Sequence, residues 1–258
     1  MTHLVMLLTY DGTSYFGWQK TKHGPSIEAE VENVLQQVFQ EPVALQAASR
    51  TDRGVHADGQ VIDFFVSRTI PDLPRLVTSL NQLLPPDIRC LRIGVAPTEA
   101  FHPTLDVKKK QYRYSISTGP VQIPQQRFTH WHVYHPFDPL LLKTSAQLFI
   151  GTHDFRGLCN RRADLDEEHT VRTIFAINVT TDLPCHSLSI TIEADHFLYK
   201  MARTIVGTMM WAAQGKLDIA SIVTALTTRK RALAGVTAPA HGLTLAKVFY
   251  RVPVFCLA

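Results

Sequence analysis

Hydrophobic and polar positions along this 258-residue chain follow two periods, and the switches between them mark its elements. Residues 1–10 are almost continuously apolar and run into Asp11-Gly12, which predicts a buried strand; they lack the basic head and small-residue cleavage site of a secretory leader. From Pro25-Ser26 onward, Ile27, Val31, Val34, Leu35 and Val38 recur at helical spacing, with Glu28 and Glu30 near the positive end of the helix dipole. A strand over 60–66 follows. A second helix marked by Leu73, Leu76, Val77, Leu80 and Leu83 stops at Pro85-Pro86, and a strand over 90–95 closes the first round.

A second round begins near residue 106, with a strand over 111–117 in which Tyr112 and Tyr114 share one face and Arg113 takes the other. Asp138 reads as the N-cap of a helix with Pro139 at its first position and Leu141, Leu142, Leu148 and Phe149 as its apolar stripe. Strands over 171–181 and 188–194 form an antiparallel pair joined around Leu183-Pro184. A long helix over 197–214, a shorter one over 218–227 and a last strand over 242–250 follow. Residues 151–169 carry both charge signs and read as an exposed loop. The rhythm predicts an α+β chain of two lobes, 1–105 and 106–258, with a weak pseudo-repeat between them.

Charge and cysteine change this picture little. A net charge of +4 permits a polyanionic partner without demanding one. Cys90, Cys159, Cys185 and Cys256 are widely spaced and form no C-x-x-C pair, the usage of a cytoplasmic protein with reduced thiols. No apolar run approaches the roughly 18–20 residues that span a bilayer, so no membrane partner is expected.

Candidate chemistry concentrates in Ser49-Arg50-Thr51-Asp52-Arg53-Gly54-Val55-His56-Ala57. One carboxylate sits between two guanidiniums, and Gly54 lets the backbone bend at angles other residues avoid. Neighbouring cations favour ionised Asp52. The residues fit both an anionic nucleophile and a plain Asp turn before a strand. Tyr112 or Tyr114 could stack on an unpaired base while Lys108, Lys109 and Lys110 meet phosphates, or both rings could simply line a sheet face. His196, Lys200, Arg203 and Gly207 fall near one face of the long predicted helix, where an Arg could serve a carboxylate or merely be solvated. His130, His132 and His135 prompt a metal reading, but no carboxylate or cysteine nearby completes a set. Dinucleotide, P-loop and H-E-x-x-H signatures are missing.

Taken in order, Tyr10-Asp11-Gly12 with Tyr15-Phe16-Gly17-Trp18-Gln19, Arg50-Thr51-Asp52 with Gly54-Val55-His56-Ala57, and Tyr112-Arg113-Tyr114 resemble the tRNA pseudouridine synthase A family. Phe197, Met201, Arg203, Ile205, Val206 and Gly207, then Ala238 and Gly242-Leu243, extend the resemblance through the last third. It implies a pseudouridine synthase fold, with two ferredoxin-like α+β halves whose antiparallel sheets meet at a central basic cleft. It implies a cofactor-free, homodimeric isomerase that converts uridine to pseudouridine at positions 38, 39 and 40 of the tRNA anticodon arm. Asp52 is then the catalytic carboxylate, Tyr112 the tyrosine packed on the target base, and Arg203 the ion-pair partner of Asp52. Arg50 would help displace the target base or contact its backbone. Ser49, Arg53 and Gln111 depart from the family pattern, which commonly has Gly, a small residue and Arg there. The alternative is a noncatalytic tRNA-binding or chaperone-like module using the same surface.

Overall fold

The computed structural model of the chain describes residues 1–160, 169–182 and 186–255. In chain order the elements are β1 (Thr2–Tyr10), α1 (Ile27–Phe39), β2 (Gln46–Ala47), β3 (His56–Val66), α2 (Leu73–Leu83), β4 (Ile88–Val95) and β5 (Val107–Thr118). There follow β6 (Trp131–Val133), α3 (Pro139–Gln147), β7 (Gly151–Asp154), β8 (Val171–Asp182), β9 (Ser187–Ala194), α4 (Met201–Ala213), α5 (Ile219–Thr228) and β10 (Leu243–Tyr250). The chain is α+β, as expected, and divides into two compact units, residues 1–110 with 244–258 and residues 111–243.

In the first unit the strands run β4-β1-β3-β10, with β2 added to the far end of β3. β1 pairs antiparallel with both β3 and β4, and β10 lies parallel to the start of β3, Thr244 opposite His56. This pairing is why the C-terminal strand joins the first unit, whereas a boundary at 105 would leave it in the second; only a pairing across the whole chain reveals it. Ser26 caps α1 by accepting from the Ala29 N–H, and Ile27, Val31, Val34, Leu35 and Phe39 turn inward. Phe39 meets Phe64 of β3 with ring centroids 5.9 Å apart, so helix and sheet share one core.

In the second unit the order is β5-β9-β8-β7, with β6 parallel to the end of β5. Asp138 caps α3 through the N–H groups of Leu140 and Leu141. The helix stops at Gln147, so Leu148 and Phe149 lie just beyond it. The join expected around Leu183-Pro184 lies outside the described residues. α4 is buried on nearly every side, which makes it the central helix of this unit rather than an amphipathic cover.

Two expectations fail here. The long helix begins at Met201 rather than at 197, because Lys200 takes a left-handed conformation (φ 60°) and a turn precedes it, with Met201 N–H donating to Leu198 O at 3.0 Å. His196 and Lys200 therefore share no helical face with Arg203 and Gly207. The start of the supposed exposed loop is ordered and partly core: β7 pairs antiparallel with β8, and Phe155 and Leu158 in the turn that follows are fully buried.

Asp154 holds that turn. Its carboxylate accepts from the Arg156 N–H at 3.0 Å and the Thr170 hydroxyl at 2.7 Å, and meets Arg229 Nε at 2.9 Å. Burial pushes its pKa up, but the Thr170 and Arg156 hydrogen bonds and the Arg229 charge outweigh that and hold the carboxyl below its usual 3.8. A depressed acid stabilises the fold above its unfolded pKa, and that stability is lost as pH falls through the folded value. Asp154→Asn is therefore expected to unfold at lower urea than wild type at pH 7, with the gap closing as pH drops below 3.8; a gap that stays constant down to pH 2.5 would contradict this.

Candidate active site

The loop that carries Asp52 connects β2 to β3 and is fixed along its whole length. Gln60, fully buried in β3, grips Ser49 from both sides: its Nε2 donates to Ser49 O at 2.6 Å and its Oε1 accepts from Ser49 N–H at 3.2 Å. Thr51 is held by its hydroxyl, 2.8 Å from Tyr10 Oη, and by its carbonyl, which accepts from Trp18 N–H at 3.0 Å. Val55 N–H donates back to Asp52 O at 3.1 Å, closing a turn in which Gly54 takes φ 76°, and Gly54 N–H donates to Tyr15 O. Asp52 itself is half-buried at the apex of this clamp.

The segment 10–18 forms the cradle. Gly17 has φ 99°, and a Cβ there would lie 2.6 Å from Thr51 O and 3.0 Å from Arg53 N. The two backbones touch, and only glycine allows it. A Cβ on Gly12 would overlap the carbonyl of Val55. Gly12 N–H donates to His56 Nδ1 at 3.1 Å, and Asp11 Oδ1 lies 3.1 Å from the same nitrogen; bare, Nδ1 accepts from Gly12, and protonated it donates to Asp11. Buried Tyr15 donates its hydroxyl to Asp87 at 2.7 Å; burial and then the Asp87 bond push its pKa up.

The flanking arginines have different settings. Arg53 lays its guanidinium over the Phe16 ring at 4.1 Å. Arg50 is exposed and borders a cavity of about 240 Å³ lined also by Trp18, Gln46, Ala47, His102 and Thr104. Of the three lysines, Lys108 is exposed, Lys109 sits 4.6 Å above the Phe249 ring, and Lys110 is buried.

In the second unit, Tyr112 and Tyr114 both face inward from β5, as the strand period predicts, and their surroundings separate them. Tyr114 donates its hydroxyl to Pro239 O at 2.7 Å and abuts Gly242, where a Cβ would lie 2.6 Å from the ring. It is a structural tyrosine. Tyr112 instead meets Phe197 edge-on, centroids 4.8 Å apart at 80°. Arg203, in the first turn of α4, donates from Nε to Ala238 O at 2.8 Å while Ala238 N–H donates to Arg203 O at 3.1 Å. A Cβ on Gly207, one turn on, would overlap Val236 O. Gly207, Ala238 and Gly242 thus serve to seat Arg203 and Tyr114. Among the described residues no group of His, Cys, Asp or Glu side chains converges to hold a metal ion; His132 faces Tyr134, with centroids 6.3 Å apart.

A family model described as tRNA pseudouridine synthase matches residues 6–103 and 145–251. The chain belongs to the tRNA pseudouridine synthase family. The matched stretches of the synthase family include Asp52 and Arg203, while Tyr112 falls between them. The chain is 44% identical over 97% of its length to tRNA pseudouridine synthase A 2 of Protochlamydia amoebophila, covering 95% of that protein. It is 37% identical to tRNA pseudouridine synthase A of Myxococcus xanthus over 97% of this chain and 93% of that protein. Synthase A 1 of Protochlamydia amoebophila is 38% identical over 98% of each.

Sequence reasoning singled out Asp52 and Gly54 as candidates but not what holds them. Gln60 was the overlooked residue, and its signal was available: a polar side chain directly before the mostly apolar stretch Val61 to Val66 of a predicted strand, where a buried amide must find partners. Replacing Gln60 by Leu removes both of its hydrogen bonds to the Ser49 backbone, each worth about 0.5–1.5 kcal/mol. Gln60→Leu is expected to lower the urea midpoint and the turnover rate together, with Gln60→Glu, which keeps the acceptor, intermediate in both. Wild-type turnover by Gln60→Leu would mean the clamp does not position Asp52.

Proposed function

We propose that the chain is a tRNA pseudouridine synthase that isomerises uridine at positions 38, 39 and 40 of the anticodon arm. The observation that carries this reading is the Asp52 loop, a carboxylate held at the apex of a backbone clamp, in a chain 44% identical to a protein of that name. The reaction breaks the bond from C1′ to N1, turns the uracil, and joins C1′ to C5, with loss of the C5 proton and gain of a proton at N1. It is redox-neutral and balances without a co-substrate. A carboxylate that bonds covalently to sugar or base can hold the two apart between the steps. Asp52 supplies that nucleophile.

Tyr112 is assigned to pack on the uracil once the nucleotide leaves its stack, and to assist removal of the C5 proton. Arg203 is assigned as a positioning residue, the ion-pair partner that aims the carboxylate. Arg50 and Lys108 are the exposed cations proposed for phosphate contact, followed by half-buried Lys109, whereas burial takes Lys110 out of that role. A homodimer and a cytoplasmic location complete the proposal; light scattering should then give twice the 29.0 kDa chain mass.

The test is nucleotide-resolved mapping of pseudouridine in an unmodified tRNA incubated with the wild-type protein. Product at 38, 39 or 40 is expected. Product confined to another arm would overturn the positional assignment, and binding without product anywhere would favour a noncatalytic module.

A further inference from the structure

Outside the residues assigned above, the connection from β5 to α3 carries an unusual surface. From Val107 to Phe137 the chain has no Asp or Glu, while Arg113, Arg127, His130, His132 and His135 all fall within it. Arg127 and Phe128 are both exposed, and the guanidinium lies 4.1 Å above the ring. Tyr134 is 65% exposed. His135 sits against it with centroids 4.1 Å apart, and His132 faces it at 6.3 Å and 26°. Burial and then the Arg113 guanidinium push the His130 pKa down.

The backbone beneath this surface is fixed. β6 pairs with β5, Trp131 opposite Ile116, and the Trp131 ring meets Tyr114 edge-on. Thr129 and His130 N–H groups both donate to Gln126 O. The rings are therefore presented in place, not gathered on binding. The whole connection lies between the two stretches that the family model matches.

We propose that Arg127, Phe128 and Tyr134 with its flanking histidines form a second RNA-contact surface, on which unpaired tRNA nucleotides away from the target uridine stack. Exposed aromatic faces beside cations, with no carboxylate in the segment, suit a base and its phosphate. A second copy of the chain fits less well. A two-fold contact through this patch would bring two copies of a segment without carboxylates together, leaving Arg127 no acid from that segment to pair with.

The inference rests on the tRNA reading above, and its test separates the two. Equilibrium binding of unmodified tRNA is measured for wild type, Tyr134→Ala, Tyr134→Phe, Phe128→Ala and Arg127→Gln, alongside single-turnover pseudouridine formation at saturating tRNA. Each alanine variant should raise Kd roughly 5-fold or more, the loss of one stacked base, with the saturated rate unchanged. Tyr134→Phe keeps the ring and should retain affinity, and Arg127→Gln should reduce the salt slope by about one. Unchanged Kd in folded Tyr134→Ala and Phe128→Ala overturns the inference, and if light scattering then shows the assembly fallen from two chains to one, the patch is a contact between copies. Wild type that binds tRNA but forms no pseudouridine overturns the functional reading, while the Kd comparison still decides the patch.

Discussion

Asp52→Asn is expected to lose pseudouridine formation by roughly 10⁴-fold or more while binding tRNA close to wild type, because the substitution removes the proposed nucleophile and keeps the side-chain shape. The loop that presents Asp52 is anchored through Ser49, the Thr51 hydroxyl and carbonyl, the Asp52 carbonyl and the Gly54 N–H. None of these bonds uses the carboxylate, so each of them is available to the amide variant. The measurement is single-turnover product formation paired with a tRNA binding isotherm and a urea melt. Turnover within ten-fold of wild type by the folded variant would remove Asp52 from the chemistry.

The largest structural effect is expected from Gly17→Ala. At φ 99° an alanine is strained by about 1–3 kcal/mol, and its Cβ would press on Thr51 O and Arg53 N, one peptide either side of Asp52. Backbone cannot swing aside as a flexible side chain can. The variant should lose about 2–4 kcal/mol of stability. At temperatures where it stays folded it should also turn over more slowly, since small misplacement of a reacting group is costly. Gly215→Ala is the control: Gly215 also has positive φ (68°), but nothing lies within 4 Å of its Cβ position. It should show a smaller stability loss and wild-type turnover. Equal stability losses in the two, measured by urea melts, would show that backbone angle alone, not contact with the Asp52 loop, makes Gly17 necessary.

Much of the first unit was legible because its signals are local. The apolar spacing from Ile27 to Val38 after Ser26, and from Leu73 to Leu83 before Pro85-Pro86, needs only a helix period and a start or stop signal, and both helices stand where that pattern puts them. Local pattern fails where one backbone angle decides. His196 to Met201 carries helix-compatible residues, yet the left-handed turn at Lys200 delays α4, and no side chain there announces it. Charge density also misled: the mixed charges after Gly151 hid Phe155 and Leu158, which pin a turn into the core. Long-range pairing is the third limit, since the place of β10 beside β3 depends on residues nearly two hundred positions apart.

The same distinction applies to the candidate site. Asp52 with Gly54 could be picked out from residue types alone, because a carboxylate between arginines on a bend is uncommon. The reason that Tyr10, Gly12, Gly17 and Trp18 accompany it is visible only in three dimensions: they form the wall against which the Asp52 loop is laid. Likewise Tyr112 and Tyr114 are equivalent in the strand pattern. The hydroxyl bond of Tyr114 to Pro239, and the edge of Phe197 on Tyr112, tell them apart.

The central claim is that this chain exchanges the N1 link of a tRNA uridine for a C5 link. Joining C1′ to C5 expels the hydrogen that C5 carried, so tRNA transcribed with uridine tritiated at C5 reports the event directly. Wild type should release tritium to water in step with pseudouridine formed, one equivalent per modified site, and Asp52→Asn should release none. Full binding of that tRNA by the wild-type protein with all tritium retained would contradict the account.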